Sequence, residues 1–112
     1  MPFRIDLHIH TTESGDSSVA PEEAVERAIA LGLDGVAFTE HNSFLASEPV
    51  ERLKEKYGKR VLIIRGAEYS SADGHILLFG IDERTISALG RHAPAIDAVR
   101  AANEAGGAAI VA

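Results

Sequence analysis

From Phe3 to His10 the chain alternates apolar and polar residues without a break: Phe3, Ile5, Leu7 and Ile9 against Arg4, Asp6, His8 and His10. A period of two marks a β-strand, because successive side chains leave opposite faces of the pleat. The pattern therefore puts His8 and His10 side by side on one strand face, with Asp6 beside them. Half a metal site is written into the first strand before any tertiary contact forms.

Downstream, strand-like and helix-like periods take turns. Residues 21–31 carry Ala24, Ala28 and Leu31 on one helical stripe with Val25 and Ile29 beside it; Pro21 suits a first turn and Gly32 a stop. Residues 35–39 read as a second strand that ends at His41. Residues 49–57 read as a charged helix with Val50 and Leu53 inward and Gly58 closing it. The run Val61-Leu62-Ile63-Ile64 is apolar on both faces, the pattern of a strand covered on both sides. Asp73-Gly74 is a turn signal, so residues 75–80 are expected to fold back as a hairpin on the segment that ends at Glu68. A helix over residues 94–105, with Ile96, Val99 and Ala102 on one side, precedes a small and apolar strand over 108–112.

Strands alternating with helices predict an α/β domain whose sheet is largely parallel, open or curling into a barrel. A complete β/α barrel takes about 250 residues, so these 112 residues are expected to be the N-terminal part of a longer fold. A small five-stranded α/β domain, complete as it stands, is the alternative.

Composition narrows the chemistry. Hydrophobic residues make up 46% and charged residues 25%, which fits a globular domain and excludes disorder. No apolar run approaches the roughly 20 residues of a bilayer span, so no membrane partner is expected. The first residues lack the basic and apolar blocks of a signal peptide, which points to the cytoplasm. With no cysteine, imidazole and carboxylate are the only strong metal ligands available. The net charge of −6 argues against a nonspecific nucleic-acid surface, which needs clustered Lys and Arg. A nuclease stays open, because bound divalent cations reverse the sign inside a cleft. Neither the substrate nor the oligomeric state is written in the sequence.

In parallel α/β folds, ligand sites gather at the carboxyl ends of the strands. His8 and His10 close the first predicted strand, His41 the second and Glu68 the third, so three strand ends deliver ligands to one rim. Any one of these imidazoles, taken singly, reads more readily as a hydrogen-bonded, half-buried histidine. Several of them with a carboxylate do not, since burying them unpartnered is costly and a cation removes the cost. Asp16 lies in the polar loop Thr-Thr-Glu-Ser-Gly-Asp-Ser-Ser, either folded over the rim or solvated. His75 would return beside Glu68 through the hairpin, or be a plain sheet-face histidine. Asp6 reads as an orienter of an imidazole or as a strand-end charge, and His92 as surface.

Asp6-Leu7-His8-Ile9-His10-Thr11 with Ser14 and Asp16, then Thr39-Glu40-His41-Asn42, then Gly66-Ala67-Glu68, then His75-Ile76-Leu77-Leu78-Phe79-Gly80 form four ordered segments. Together they resemble the PHP family, named for polymerase and histidinol phosphatase. The resemblance runs from Ile5 to Ala112. It implies an α/β fold that is the N-terminal part of a distorted (β/α)7 TIM-like barrel, with residues 1–112 forming a PHP domain portion that stops before the family's His-Pro motif. It also implies up to three divalent metal ions, manganese, iron or zinc. By motif position His8, His10 and Glu68 would hold one ion; Glu68 would bridge to a second, also bound by His75; Asp16 and His41 would hold a third. The family completes these spheres with a His-Pro motif and a later Asp-x-His motif; no His-Pro occurs in the sequence, and no Asp-x-His follows His75.

The implied activity is a metal-dependent phosphoric ester hydrolase acting on a small phosphomonoester or a nucleotide through metal-activated water. No Ser or Cys nucleophile is required, and no GxSxG elbow is present. No catalytic side chain separate from the metal ligands is expected, and the 112 residues alone are expected to be poorly active. The alternatives are an exonuclease or phosphodiesterase of the same family, and a non-catalytic metal-binding domain of a larger polymerase-like assembly.

Overall fold

A computed structural model describes residues 2–112. Five strands form one sheet in sequence order: β1 (Ile5–Ile9), β2 (Gly35–His41), β3 (Leu62–Ser71), β4 (Gly74–Phe79) and β5 (Ala108–Val111). Helix α1 (Pro21–Ala30) links β1 to β2, and α2 (Glu51–Tyr57), preceded by a 3-10 turn over Leu45–Val50, links β2 to β3. Helices α3 (Glu83–Leu89) and α4 (Ala95–Glu104) link β4 to β5. The fold is α/β, with the sheet curled into a half barrel.

The sheet is mixed rather than largely parallel. β1, β2 and β3 run parallel, but β4 returns antiparallel to β3 and β5 antiparallel to β4. The hairpin is the reason: Ser71 faces Gly74 across a two-residue turn, too short for the helical crossover that a parallel neighbour needs.

Both core clusters lie on one face of this sheet. Val36, Phe38 and Ile63 pack with Val25 and Ala28 of α1 and with Tyr57 of α2. Ala67, Tyr69, Ile76 and Leu78 pack with Ile86 of α3 and with Ala98 and Ala102 of α4. The register shows that these strand residues share a face, since Val36 pairs with Ile63, Ala67 with Leu78 and Tyr69 with Ile76. Among the described residues the opposite face carries no helix. There Leu62 is 53% exposed and Ile110 is 42% exposed, so the third strand is covered on one side only, contrary to its doubly apolar sequence.

Two further expectations change. The strict alternation of residues 3–10 is broken by a register shift: Asp6 pairs with Val36, but Ile9 pairs with Phe38. Val36 and Phe38 face the helices, so Asp6 and Ile9, three residues apart, do too. The bulge carries Ile9 into the core, leaves Ile5 on the helix-free face opposite Gly35, and separates Asp6 from the imidazoles. In α4 the buried stripe is Ala98 and Ala102, while Ile96 is exposed. Small residues win there because the helix lies close against the sheet, and Ile96 falls on the other side.

Helix α3 was not read from the sequence. Its signals are an Asp82 N-cap, whose carboxylate accepts from the Thr85 backbone N–H at 2.9 Å and from its hydroxyl at 3.0 Å, and a stop at Gly90 with φ of 71°.

Candidate metal centre

The three parallel strands point their carboxyl ends to one rim, and β4, running the other way, brings its first residues there. His41 and Glu68 are direct neighbours in the β2–β3 ladder, and His75 is opposite Ser70, two residues beyond Glu68 on the same face. The result is a carboxylate ringed by imidazoles. Glu68 Oε1 lies 2.9 Å from His10 Nε2 and 3.3 Å from His41 Nδ1; Oε2 lies 3.2 Å from His8 Nε2 and 3.2 Å from His75 Nδ1. The Glu68 side chain is only 5% exposed. His8 and His10 approach Nε2 to Nε2 at 3.2 Å, and the His10 and His41 rings stack with centroids 4.1 Å apart.

Asp16 folds over the rim rather than into solvent alone. A 3-10 turn over Thr12–Ser14 ends at Gly15, whose φ of 80° suits glycine, and the next residue sets its Oδ2 2.7 Å from His41 Nε2. Hydrogen bonding to His41 holds the Asp16 carboxyl below its ordinary range, against a smaller opposing effect of desolvation. All six residues singled out in the sequence, His8, His10, Asp16, His41, Glu68 and His75, therefore meet in one cluster. His92 is exposed, as expected. Asp6 touches no imidazole; its Oδ1 accepts from the His8 backbone N–H at 3.1 Å, so it acts on the local chain and not on a ring.

Glu40 is the residue that sequence reasoning passed over. It is wholly buried, facing the helix side between two ligand-bearing strands. Oε1 accepts from the Thr11 backbone N–H at 2.9 Å and from the Ser14 hydroxyl at 2.5 Å, and Oε2 accepts from the Thr11 hydroxyl at 2.5 Å. Ser14 Oγ in turn accepts from the His41 N–H at 3.2 Å. One carboxylate thus pins the segment that runs from His10 to Asp16 onto the end of β2. An acid next to His41 at the end of a strand whose residues Gly35–Phe38 are small or apolar was the available signal.

The chemistry of the donor set fits divalent cations. Three overlapping groups, His8–His10–Glu68, His10–Asp16–His41 and His41–Glu68–His75, each offer ligand atoms within 4.8 Å of one another. His10 Nδ1 is buried without a hydrogen-bond partner among the described residues. Four imidazoles converge on one buried carboxylate, and His8 Nε2 and His10 Nε2 lie only 3.2 Å apart, so a shared cation would engage nitrogens and oxygens together. Mixed nitrogen and oxygen donors suit manganese, iron or zinc.

An α/β domain that gathers histidines and acids at one rim of its sheet has the donor set of a metal-binding domain. The particular family follows from comparison: the PHP domain model matches residues 6–106, and the chain belongs to that family. It is 34% identical over 84 residues to a phosphoribosyl 1,2-cyclic phosphate 1,2-diphosphodiesterase of Eggerthella lenta, covering 70% of this chain and 31% of that protein. It is 33% identical over 81 residues to a 5'-3' exoribonuclease of Escherichia coli, covering 69% and 27%. Among solved structures, a "putative metal-dependent phosphoesterase" from Bifidobacterium adolescentis superposes with a TM-score of 0.68 at 29% identity, covering 80% of this chain and 32% of that one. The chain spans about half the length, or less, of the curated relatives it matches.

Proposed function

We propose that the chain is the metal-holding part of a phosphoric ester hydrolase that cleaves a small phosphomonoester or a nucleotide. The observation that carries this reading is the convergence of His8, His10, His41 and His75 on buried Glu68. His8, His10 and Glu68 are assigned to one cation, Glu68 and His75 to a second, and Asp16 and His41 to a third, with manganese, iron or zinc as candidates. Bound divalent cations supply Lewis acidity: they lower the pKa of water and offset charge on phosphoryl oxygens. The side chains hold and orient. Glu68 supplies the negative charge shared between adjacent positions, His10 and His41 keep their rings parallel by stacking, and Glu40 fixes the loop that carries Asp16.

Residues 1–112 are assigned as the N-terminal portion of a distorted (β/α)7 barrel. The helix-free apolar face and the partial span of the relatives support this, because a barrel interior is where such a face would be covered. The whole protein is proposed to work in the cytoplasm. No helix among the described residues is long and apolar enough to cross a membrane.

A second reading, a phosphodiesterase or exonuclease, is favoured by the names of the two relatives above. Turnover of p-nitrophenyl phosphate and of its bis ester with added manganese separates the readings for the full-length protein. Monoester turnover supports the first and diester turnover the second; metal binding without turnover leaves the non-catalytic domain.

A further inference from the structure

Strand β2 ends at His41 but β3 runs on to Ser71, so residues 69–71 lie past the last paired position of the β2–β3 ladder. Asn42 supplies what is missing there. Its N–H donates to the Glu68 carbonyl at 2.8 Å, as a continuing parallel strand would. The next rung of such a strand would join the Asn42 carbonyl to the Ser70 N–H. That N–H donates instead to Asn42 Oδ1 at 2.8 Å, and Asn42 Nδ2 donates to Ser70 Oγ at 3.3 Å. The side-chain amide stands in for the residue's own backbone.

A positive φ explains the replacement. Asn42, with φ of 53°, turns the chain out of the sheet toward Phe44 and Leu45, whose N–H groups donate to Glu83 at 2.7 Å and 2.8 Å. Asparagine enters the left-handed region more readily than most side chains. Glycine would make the same turn with nothing to reach back to Ser70.

The ligands that depend on this rung form one group. His41 precedes Asn42, Glu68 offers the carbonyl that Asn42 engages, and His75 sits opposite Ser70 across the hairpin. Because the Ser70 N–H points to Asn42, it points away from β4. Ser70 and His75 are then a non-hydrogen-bonded pair, the kind in which facing side chains lie closest. The His75 side chain is 53% exposed, so packing does little to hold its Nδ1 3.2 Å from Glu68 Oε2. The strand register does that work. His8 and His10 come from β1, on the far side of β2 from Ser70.

Resting on the metal-hydrolase reading above, we infer that Asn42 is a positioning residue: it sets His41, Glu68 and His75 in one register, on which the second and third cations depend, while the His8–His10–Glu68 position forms without it. Its Oδ1 is committed to Ser70, so it acts through the ligands rather than as one of them.

The test titrates manganese into the metal-free full-length protein and reads free metal, and exchange coupling between neighbouring ions, by electron paramagnetic resonance. Asn42→Gly keeps the turn and loses the amide, Asn42→Asp keeps an acceptor for the Ser70 N–H, and Ser70→Ala drops only the hydroxyl contact. In Asn42→Gly the tightest ion should bind as in the parent, the later ions roughly 10- to 100-fold more weakly, and the coupled signal should fade at equal loading. Asn42→Asp and Ser70→Ala should keep the parent's ratio between steps; the ratio is compared because the aspartate charge strengthens every step. Unchanged constants in Asn42→Gly overturn the inference, as does a ratio that Asn42→Asp fails to restore. Equal weakening of every ion with a lower melting temperature of the metal-free protein overturns it too, since that marks a merely structural loss. A parent that binds no manganese removes the metal reading and this inference together. Turnover of p-nitrophenyl phosphate and its bis ester is scored separately. Turnover by a parent whose binding is indifferent to Asn42 sinks this inference alone; the Asn42 effect on binding without turnover sinks only the hydrolase reading.

Discussion

Replacing Glu40 by alanine tests whether the loop bearing Asp16 is held by one buried carboxylate. The change strands three donors: the Thr11 N–H, the Thr11 hydroxyl and the Ser14 hydroxyl. Thr11 is fully buried, so its two donors cannot turn to water, whereas half-buried Ser14 can. A buried donor left unsatisfied costs about 1–3 kcal/mol, which puts the loss for Glu40→Ala at roughly 3–5 kcal/mol. That is a large part of the ~5–15 kcal/mol that holds a domain together. Glu40→Gln keeps one carbonyl acceptor and presents an amide to hydroxyls that can rotate and accept, so it should lose only about 1–2 kcal/mol. Urea unfolding followed by circular dichroism reads the difference. With a slope near 1.5 kcal/mol/M, Glu40→Ala should move the midpoint down by roughly 2–3 M. An alanine variant within about 0.5 kcal/mol of the parent would refute the reasoning, since it would mean that Thr11 and Ser14 find other partners.

Other outcomes follow from the same geometry. Changing His8 and His10 together to alanine should lower bound metal in the full-length protein; unchanged content by elemental analysis would remove both from the site. Gly66→Ala would set a Cβ 2.7 Å from the Leu78 carbonyl oxygen and 2.7 Å from the Phe79 ring, two residues before Glu68. A thermal melt should show a loss of about 1–3 kcal/mol. The Asp82 carboxyl is held below its ordinary value of 3.8 by the backbone N–H and then the hydroxyl of Thr85. A depressed carboxylate stabilises fully above the unfolded value and loses that contribution as pH falls through the folded one. Amide protection in α3 should therefore drop as pH falls below 3.8, and in Asp82→Ala it should already be low at neutral pH. Finally, the helix-free face should make the 112-residue chain bind the dye ANS, and Leu62→Lys should weaken the signal; a dark titration would mean that the face is covered.

The convergence of His8, His10, Asp16, His41, Glu68 and His75 was legible because metal chemistry demands few residue types and the strand pattern aligns them. Two histidines at a spacing of two stay on one face even with a bulge just before them, so His8 and His10 could be read from β1 while the faces of Asp6 and Ile9 could not. The bulge is a property of the β1–β2 register, which no local pattern encodes. Glu40 was hidden for a related reason: its neighbour His41 drew the reading, and the partners that give it meaning, Thr11 and Ser14, lie far away in sequence. The doubly apolar third strand and the exposed Ile96 misled because apolarity records burial without saying what does the covering. Helix α3 was written in Asp82, Thr85 and Gly90, but seven residues leave too little room for a period to emerge.

The account turns on cations shared between separate strands. Crystals of the full-length protein grown with manganese, measured at the manganese absorption edge, test it directly. Anomalous peaks within bonding distance of Glu68 and of His8 and His10, with further density near His75 or between Asp16 and His41, are the predicted result. A map with no anomalous peak among these six side chains would contradict it.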